Sequence, residues 1–158
     1  GNGILEGGEP PGETGPAISQ RLLTNEILLG KTRMSRSEDG VVISLSEAGF
    51  FAPGEAAAGA EAEIVAATLA ETLRDTKASV RIEGHTDSTP ISNAKYPSNW
   101  ELSTARASGV LSKMIEGGLS PQRLSAAGYA GFRPVHDNAT PEGRAQNRRV
   151  DIDVLNQD

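Results

Sequence analysis

Asp87 closes the run Gly84-His85-Thr86-Asp87, and Arg106 closes Ser98-Asn99-Trp100-Glu101-Leu102-Ser103-Thr104-Ala105-Arg106. A carboxylate at a strand end and a guanidinium on the following helix are the two charges that a small zwitterion needs. The acid takes its ammonium, and the guanidinium takes its carboxylate. The loop between them carries Pro90 and Pro97, and it must fold back over the strand end for the two to converge. Small-ligand sites in α/β folds form at such strand-to-helix connections. A turn aspartate and a solvated helix arginine are the ordinary alternatives.

Other chemistries find less support. His85 and His136 are the only histidines and there is no cysteine, so no metal site is expected. Ser88 lies beside His85 and Asp87, but no G-x-S-x-G motif and no paired acid and base are present, so neither an enzyme nor a cofactor is called for. His85 is expected to shape its loop by hydrogen bonding. Arg144, Arg148 and Arg149 could together hold a phosphate, yet Asp151 and Asp153 share the strand of Arg149 and could neutralise it. Arg148 has the inward parity of Val150. An inward arginine must find an acceptor, so it is kept as a site residue.

The elements that must position these groups are legible in the hydrophobic periodicity. Residues 1–16 are rich in Gly, Pro and Glu and read as a flexible linker. Residues 17–36 form an amphipathic helical and linker segment, with Ile18, Leu22, Leu23, Ile27 and Leu28 at helical spacing and Gly30 as the stop. Residues 37–158 form the main domain. Val41 to Ser46 is a strand, and Asp39-Gly40 before it suggests a hairpin with a strand near Thr32 to Ser35. Glu55 to Thr76 reads as a helix with Ile64, Thr68, Leu69 and Leu73 inward. Ser79 to Glu83 is a half-buried strand leading into the Gly84 motif.

Ser98 and Glu101 form a capping box for a helix that buries Ser103, Ala107, Val110, Leu111 and Met114 and ends at Gly117-Gly118, with Arg106 on the flank. Arg123 to Tyr129 is a third strand. Thr140-Pro141 starts a short helix to Asn147. Arg148 to Leu155 is the last strand, with Val150, Ile152 and Val154 inward and Arg149, Asp151 and Asp153 outward. The order βαβα-β-(short α)-β predicts a two-layer α/β sandwich, one mixed sheet with helices on one face.

Charge restricts the partners. Residues 1–79 hold 6 Lys and Arg against 12 Asp and Glu, whereas residues 80–158 hold 9 against 9. With no basic stripe, nucleic acid and anionic membrane surfaces are poor partners. No run approaches the ~20 apolar residues of a membrane span.

These residues also carry a resemblance. Gly84-His85-Thr86-Asp87, Asn99, Leu102-Ser103, Arg106-Ala107, Gly128-Tyr129, Pro134, Asn138, Gly143-Arg144-Ala145 and Asn147-Arg148-Arg149-Val150 resemble the OmpA-like peptidoglycan-binding domain over about Val41 to Leu155. Thr89-Pro90-Ile91, the long loop to Ser98 and Asn147 to Ile152 are similar to the flagellar stator branch, the MotB proteins. The resemblance implies non-covalent binding of the diaminopimelate residue of a peptidoglycan stem peptide. Asp87 would receive the ligand ammonium and Arg106 its carboxylate. Backbone amides near Thr86 and Thr89 would add donors, and Asn99, Leu102 and Arg148 would line the site. It further implies a periplasmic domain, a homodimer, and an inner-membrane stator partner engaged through a part of the protein that this sequence lacks. A wall tether of an outer-membrane or secretion-system protein is the alternative.

Overall fold

The computed structural model describes residues 15–155. The linker expected over residues 1–16 lies outside them except for its last two residues, which open helix α1 (Gly15–Leu23). There follow α2 (Glu26–Lys31), β1 (Arg33–Arg36), β2 (Gly40–Ser46), α3 (Glu47–Phe50), α4 (Ala60–Leu73) and β3 (Ser79–His85). The chain continues as α5 (Asn99–Glu116), β4 (Leu124–Gly128), α6 (Pro141–Asn147) and β5 (Arg149–Leu155).

The strands form one mixed sheet in the order β1-β2-β5-β3-β4. β2 and β3 both run antiparallel to β5, which fills the gap between them. They are therefore parallel to each other and end at the same edge of the sheet, where β5 begins. Whatever follows β2, follows β3 and precedes β5 is gathered at that edge. β1 and β2 form the expected hairpin, and β3 and β4 are parallel across the α5 crossover.

Ile43, Ile152 and Ile82 stand in one row across three strands and are fully buried. Residues two positions away share their face, so Leu45, Val150, Val41, Val154 and Val80 extend the apolar layer. α5 packs on β3 and β4, α1 on β2, and α4 against α5. This is the expected two-layer α/β sandwich. α5 approaches β3 so closely that a Cβ on Gly84 would collide with the Ser103 carbonyl. That contact ties the end of β3, and so Asp87, to the middle of α5.

Several local expectations change. The first helix is two, because Asn25 breaks it and caps α2 by accepting from Leu28 N at 3.0 Å. Gly30 lies inside α2, and Ile27 is exposed. α4 starts at Ala60, not Glu55, and buries Ala62, Val65, Ala66, Leu69, Ala70 and Leu73. Ile64 is exposed, and Thr68 turns its hydroxyl to the Ile64 carbonyl. Leu69 and Leu73 are inward as expected, and Ala62, Ala66 and Ala70 complete the buried face with Val65, so the larger side chains alone locate it only in part.

The second face of the sheet also departs from a simple polar surface. Register sets Arg81 opposite Asp153, Glu83 opposite Asp151 and His85 opposite Arg149. Arg149 and Asp153 point away from the apolar layer as expected, yet both are buried. Arg149 Nε pairs with Asp151 at 3.0 Å, while Arg81 reaches Glu83 at 3.0 Å and Asp153 at 3.4 Å.

Candidate functional site

A cleft of about 440 Å³ opens at the sheet edge where β2 and β3 end and β5 begins. All seven residues expected at the site line it: Thr86, Asp87, Thr89, Asn99, Leu102, Arg106 and Arg148. The loop from Pro90 does fold back, because Asn99 Nδ2 donates to the Thr89 carbonyl at 2.9 Å and pins the loop to the start of α5. Ser98 caps that helix by accepting from Trp100 N, and its hydroxyl also bonds the Glu101 carboxylate.

The charges form a chain of four. Asp87 Oδ2 accepts from Arg148 Nη1 at 2.7 Å, and Arg148 Nε donates to Glu47 Oε1 at 3.1 Å. Glu47 Oε2 accepts from Arg106 Nη1 at 2.9 Å. Two acids and two guanidinium groups balance, so the cleft is neutral overall and charged at each wall. That pattern suits a ligand carrying both an ammonium and a carboxylate.

Arg106 is 1% exposed, not on the flank of α5 as its spacing suggested. Its Nε donates to the Glu55 carbonyl at 2.7 Å and its Nη2 to the Ala52 carbonyl at 3.1 Å. The guanidinium also lies 4.9 Å from the centre of the Phe51 ring. Three of its five N–H donors are thus committed to holding residues 47–55 against α5. One N–H on each terminal nitrogen is left over for the cleft. Arg148, with its side chain 33% exposed, is the more accessible cation.

Thr86 and Thr89 line the cleft without offering their amides. Thr86 N donates to the Ala130 carbonyl at 2.9 Å, and Thr89 N donates to Asp87 Oδ1 at 2.9 Å. They shape the Asp87 turn instead. His85 makes no hydrogen bond through either ring nitrogen; it stacks on Tyr129 at 5.5 Å. The expected hydrogen-bonding role is therefore replaced by packing. Nor do the three C-terminal arginines form a phosphate cradle. Arg144 donates to the Asn138 carbonyl, Arg149 turns to Asp151 on the far face, and Arg148 alone enters the cleft.

The profile of the OmpA family matches residues 50–148. The chain belongs to the OmpA family. Within it the domain is MotB-like. It is 32% identical over 138 residues to motility protein B of Bacillus subtilis, covering 86% of this chain and 53% of that protein. It is 47% identical over 118 residues to the uncharacterised protein YtxE of the same organism, covering 74% of this chain and 49% of YtxE. The chain spans about half the length of the curated relatives it matches.

Solved structures agree. A MotB-like protein from Desulfovibrio vulgaris superposes with a TM-score of 0.79 at 29% identity, over 90% of this chain and 91% of that one. The T6SS cell wall anchor from Pseudomonas aeruginosa gives 0.75 at 35% identity, over 87% and 96%.

Sequence reasoning missed Glu47, the acid that joins both arginines of this OmpA-family cleft. A signal was present: Glu47 follows the end of β2 as Asp87 follows the end of β3, and two parallel strands flanking a third bring such residues together. The Glu47 amide also donates to the Arg148 carbonyl at 2.9 Å, which fixes the start of α3 to the start of β5. Asn147 was read only as part of a motif. It is fully buried, accepts from Val135 N and His136 N, and donates to the His136 carbonyl and Asn138 Oδ1.

Proposed function

We propose that this chain binds peptidoglycan non-covalently, taking the diaminopimelate residue of a stem peptide into the cleft between Asp87, Arg148 and Arg106. The carrying observation is the neutral four-charge chain from Asp87 through Arg148 and Glu47 to Arg106 along one cleft wall. A ligand ammonium takes the place of the Arg148 Nη1 proton on Asp87. The freed Arg148, with the remaining donors of Arg106, then meets the ligand carboxylate. Asn99 and Leu102 bound the aliphatic stem. The domain binds and does not turn over its ligand.

In the whole protein we assign it the role of a periplasmic wall anchor for an inner-membrane flagellar stator, acting as a homodimer. Similarity to motility protein B over most of the chain supports this reading. A second reading, the wall tether of a secretion machine, is supported by the likeness to the T6SS cell wall anchor. The two share the cleft and differ in the machine attached to it.

Co-sedimentation with purified sacculi tests the shared claim. The wild-type chain should pellet with sacculi, and Asp87→Ala should stay in the supernatant while keeping its circular dichroism spectrum. Equal pelleting of both would refute the assignment. Pull-down of stator or secretion subunits by the full-length protein separates the two machines.

A further inference from the structure

At the β1 side of the sheet lies a small hollow of about 160 Å³. Lys31, Thr32 and Arg33, where α2 passes into β1, line it together with Ser44 and Ser46 of β2. Register sets Arg33 opposite Ser44, and Ser46 follows two residues later on the same face of the strand. None of these residues lines the charged cleft.

Both cations are held in place, by different means. Lys31 Nζ pairs with Glu61 at 2.5 Å. Arg33 Nη1 donates to Gln146 Oε1 at 3.1 Å. A neutral amide orients the guanidinium without discharging it and engages one of its five N–H donors. Among the described residues Arg33 has no carboxylate partner. Ser46 precedes α3, but its hydroxyl makes no capping bond. Thr32 gives its hydroxyl proton to the Leu28 carbonyl at 2.8 Å, so it shapes the hollow and donates nothing to it. Two cations and two serines thus meet in a hollow that no acid lines, in a chain whose formal net charge is -6. Asp151, the register partner of Ser44, is held by Arg149 at 3.0 Å.

We infer that this hollow binds the phosphate group of a small phosphate monoester. A water occupies about 30 Å³, so the space equals about five waters and admits one phosphate with the first carbon of its ester. A carboxylate carries one charge in one plane, and Arg33 alone would satisfy it. A phosphate monoester carries about -1.5 to -2 at pH 7 and directs three oxygens apart, which matches two cations with hydroxyls beside them. Past Lys31 and Ser46 the space continues into a hollow of about 230 Å³ lined by Gly30, Gly49, Phe50 and Glu61. The glycines leave room there for the alcohol part, and the Glu61 carboxylate can accept its hydroxyl. Glu61 also repels a second phosphate, so a single phosphate fits and a polyanion does not. The site is independent of the wall-binding reading.

Amide NMR titration at constant ionic strength tests it, with inorganic phosphate and glycerol 3-phosphate as probes and sodium chloride as the reference. Amides of residues 31–33 and 44–46 should shift saturably with both phosphates and not with chloride. The ester should bind at least as tightly as free phosphate. Arg33→Gln should weaken binding by about tenfold, the scale of one charged hydrogen bond. Lys31→Gln should weaken it as well, and so should Ser46→Ala, which alters no charge. Arg36→Gln removes another exposed cation of β1 that lies outside the hollow and should change nothing. Shifts that follow ionic strength alike for chloride and phosphate would overturn the inference, as would an equal loss in Arg36→Gln. Weaker binding of the ester than of free phosphate would overturn the monoester assignment. Vesicles of phosphatidylcholine with phosphatidic acid separate the sources. Sedimentation with them that Arg33→Gln abolishes would identify a lipid headgroup, and its absence beside a positive titration would identify a soluble ester.

Discussion

Glu47 holds Arg106 through a 2.9 Å ion pair, and its second oxygen reaches Arg148 at 3.1 Å. One carboxylate thus orients both cations of the cleft. Glu47 and Arg106 are among the least solvated charges in the chain, with side chains 14% and 2% exposed. Removing one partner of a buried pair strands the other, and this typically costs about 3–5 kcal/mol. Glu47→Ala should therefore lower stability by roughly that amount in urea unfolding. Sacculus binding should fall as well, because Arg148 loses its second anchor. A stability within about 1 kcal/mol of wild type would show that Arg106 needs no acidic partner.

The two arginines should separate in mutagenesis although both line the cleft. Arg106→Ala removes two backbone acceptor contacts and the Glu47 pair, so it should unfold at a lower urea concentration and lose binding. Arg148 is more exposed, and Arg148→Ala should cost only about 1 kcal/mol while reducing binding as severely as Asp87→Ala. If Arg148→Ala binds sacculi like wild type, the ligand carboxylate is met by Arg106 alone.

Much of this arrangement could be read from residue order, and the limits have physical causes. Asp87, Asn99 and Arg106 are close in sequence, with a capped helix between them, so local rules were enough to place them together. Arg148 followed from strand parity. Glu47 is 59 residues from Arg106 and 101 from Arg148, and only the strand order of the sheet brings it to them. Periodicity identified α4 and placed Leu69 and Leu73 inward, but it also set Ile64 and Thr68 there, since alanine has little hydrophobic contrast. The pairing of Arg149 with Asp151 was legible from their shared strand, but the burial of Arg149 and Asp153 was not, because alternation reports a face of the sheet and not what covers it. The Arg106 donors could not be foreseen, for their acceptors are the backbone carbonyls of Ala52 and Glu55.

Gly84 offers a test of how the fold sets the spacing of the site. A Cβ there would meet the Ser103 backbone, which cannot swing aside as a side chain can. Gly84→Ala should push α5 away from β3 and cost at least about 1–3 kcal/mol, the usual range for overpacking. Because Asp87 follows β3 and Arg106 sits on α5, the variant should also lose affinity for sacculi at temperatures where it remains folded. Retained affinity in a destabilised but folded variant would show that the cleft tolerates movement of α5.

The polar face of the sheet predicts an unusual dependence of stability on pH. Burial, reinforced by the nearby Arg149, pushes the His85 imidazole down to about 4, against smaller opposing effects of Asp151 and Glu83. Burial, reinforced by the Glu83 carboxylate, pushes Asp153 up to about 7, and Arg81 offsets only part of this. For His85 the unfolded chain binds the extra proton between about pH 4 and 6.5, so its contribution is complete above 6.5 and lost as pH falls. For Asp153 the folded chain holds the extra proton, so its contribution is complete below about pH 4 and lost as pH rises through 7. The two slopes oppose each other, and wild-type stability should be nearly flat between about pH 4.5 and 6.5. Asp153→Asn should leave the His85 slope alone, with stability climbing by a few kcal/mol across that range, at most about 1.4 kcal/mol for each step of one in pH. His85→Phe should leave the opposite slope, with stability falling over the same range. Urea midpoints measured at several pH values read both directions, and parallel curves for wild type and the two variants would exclude the opposed titrations.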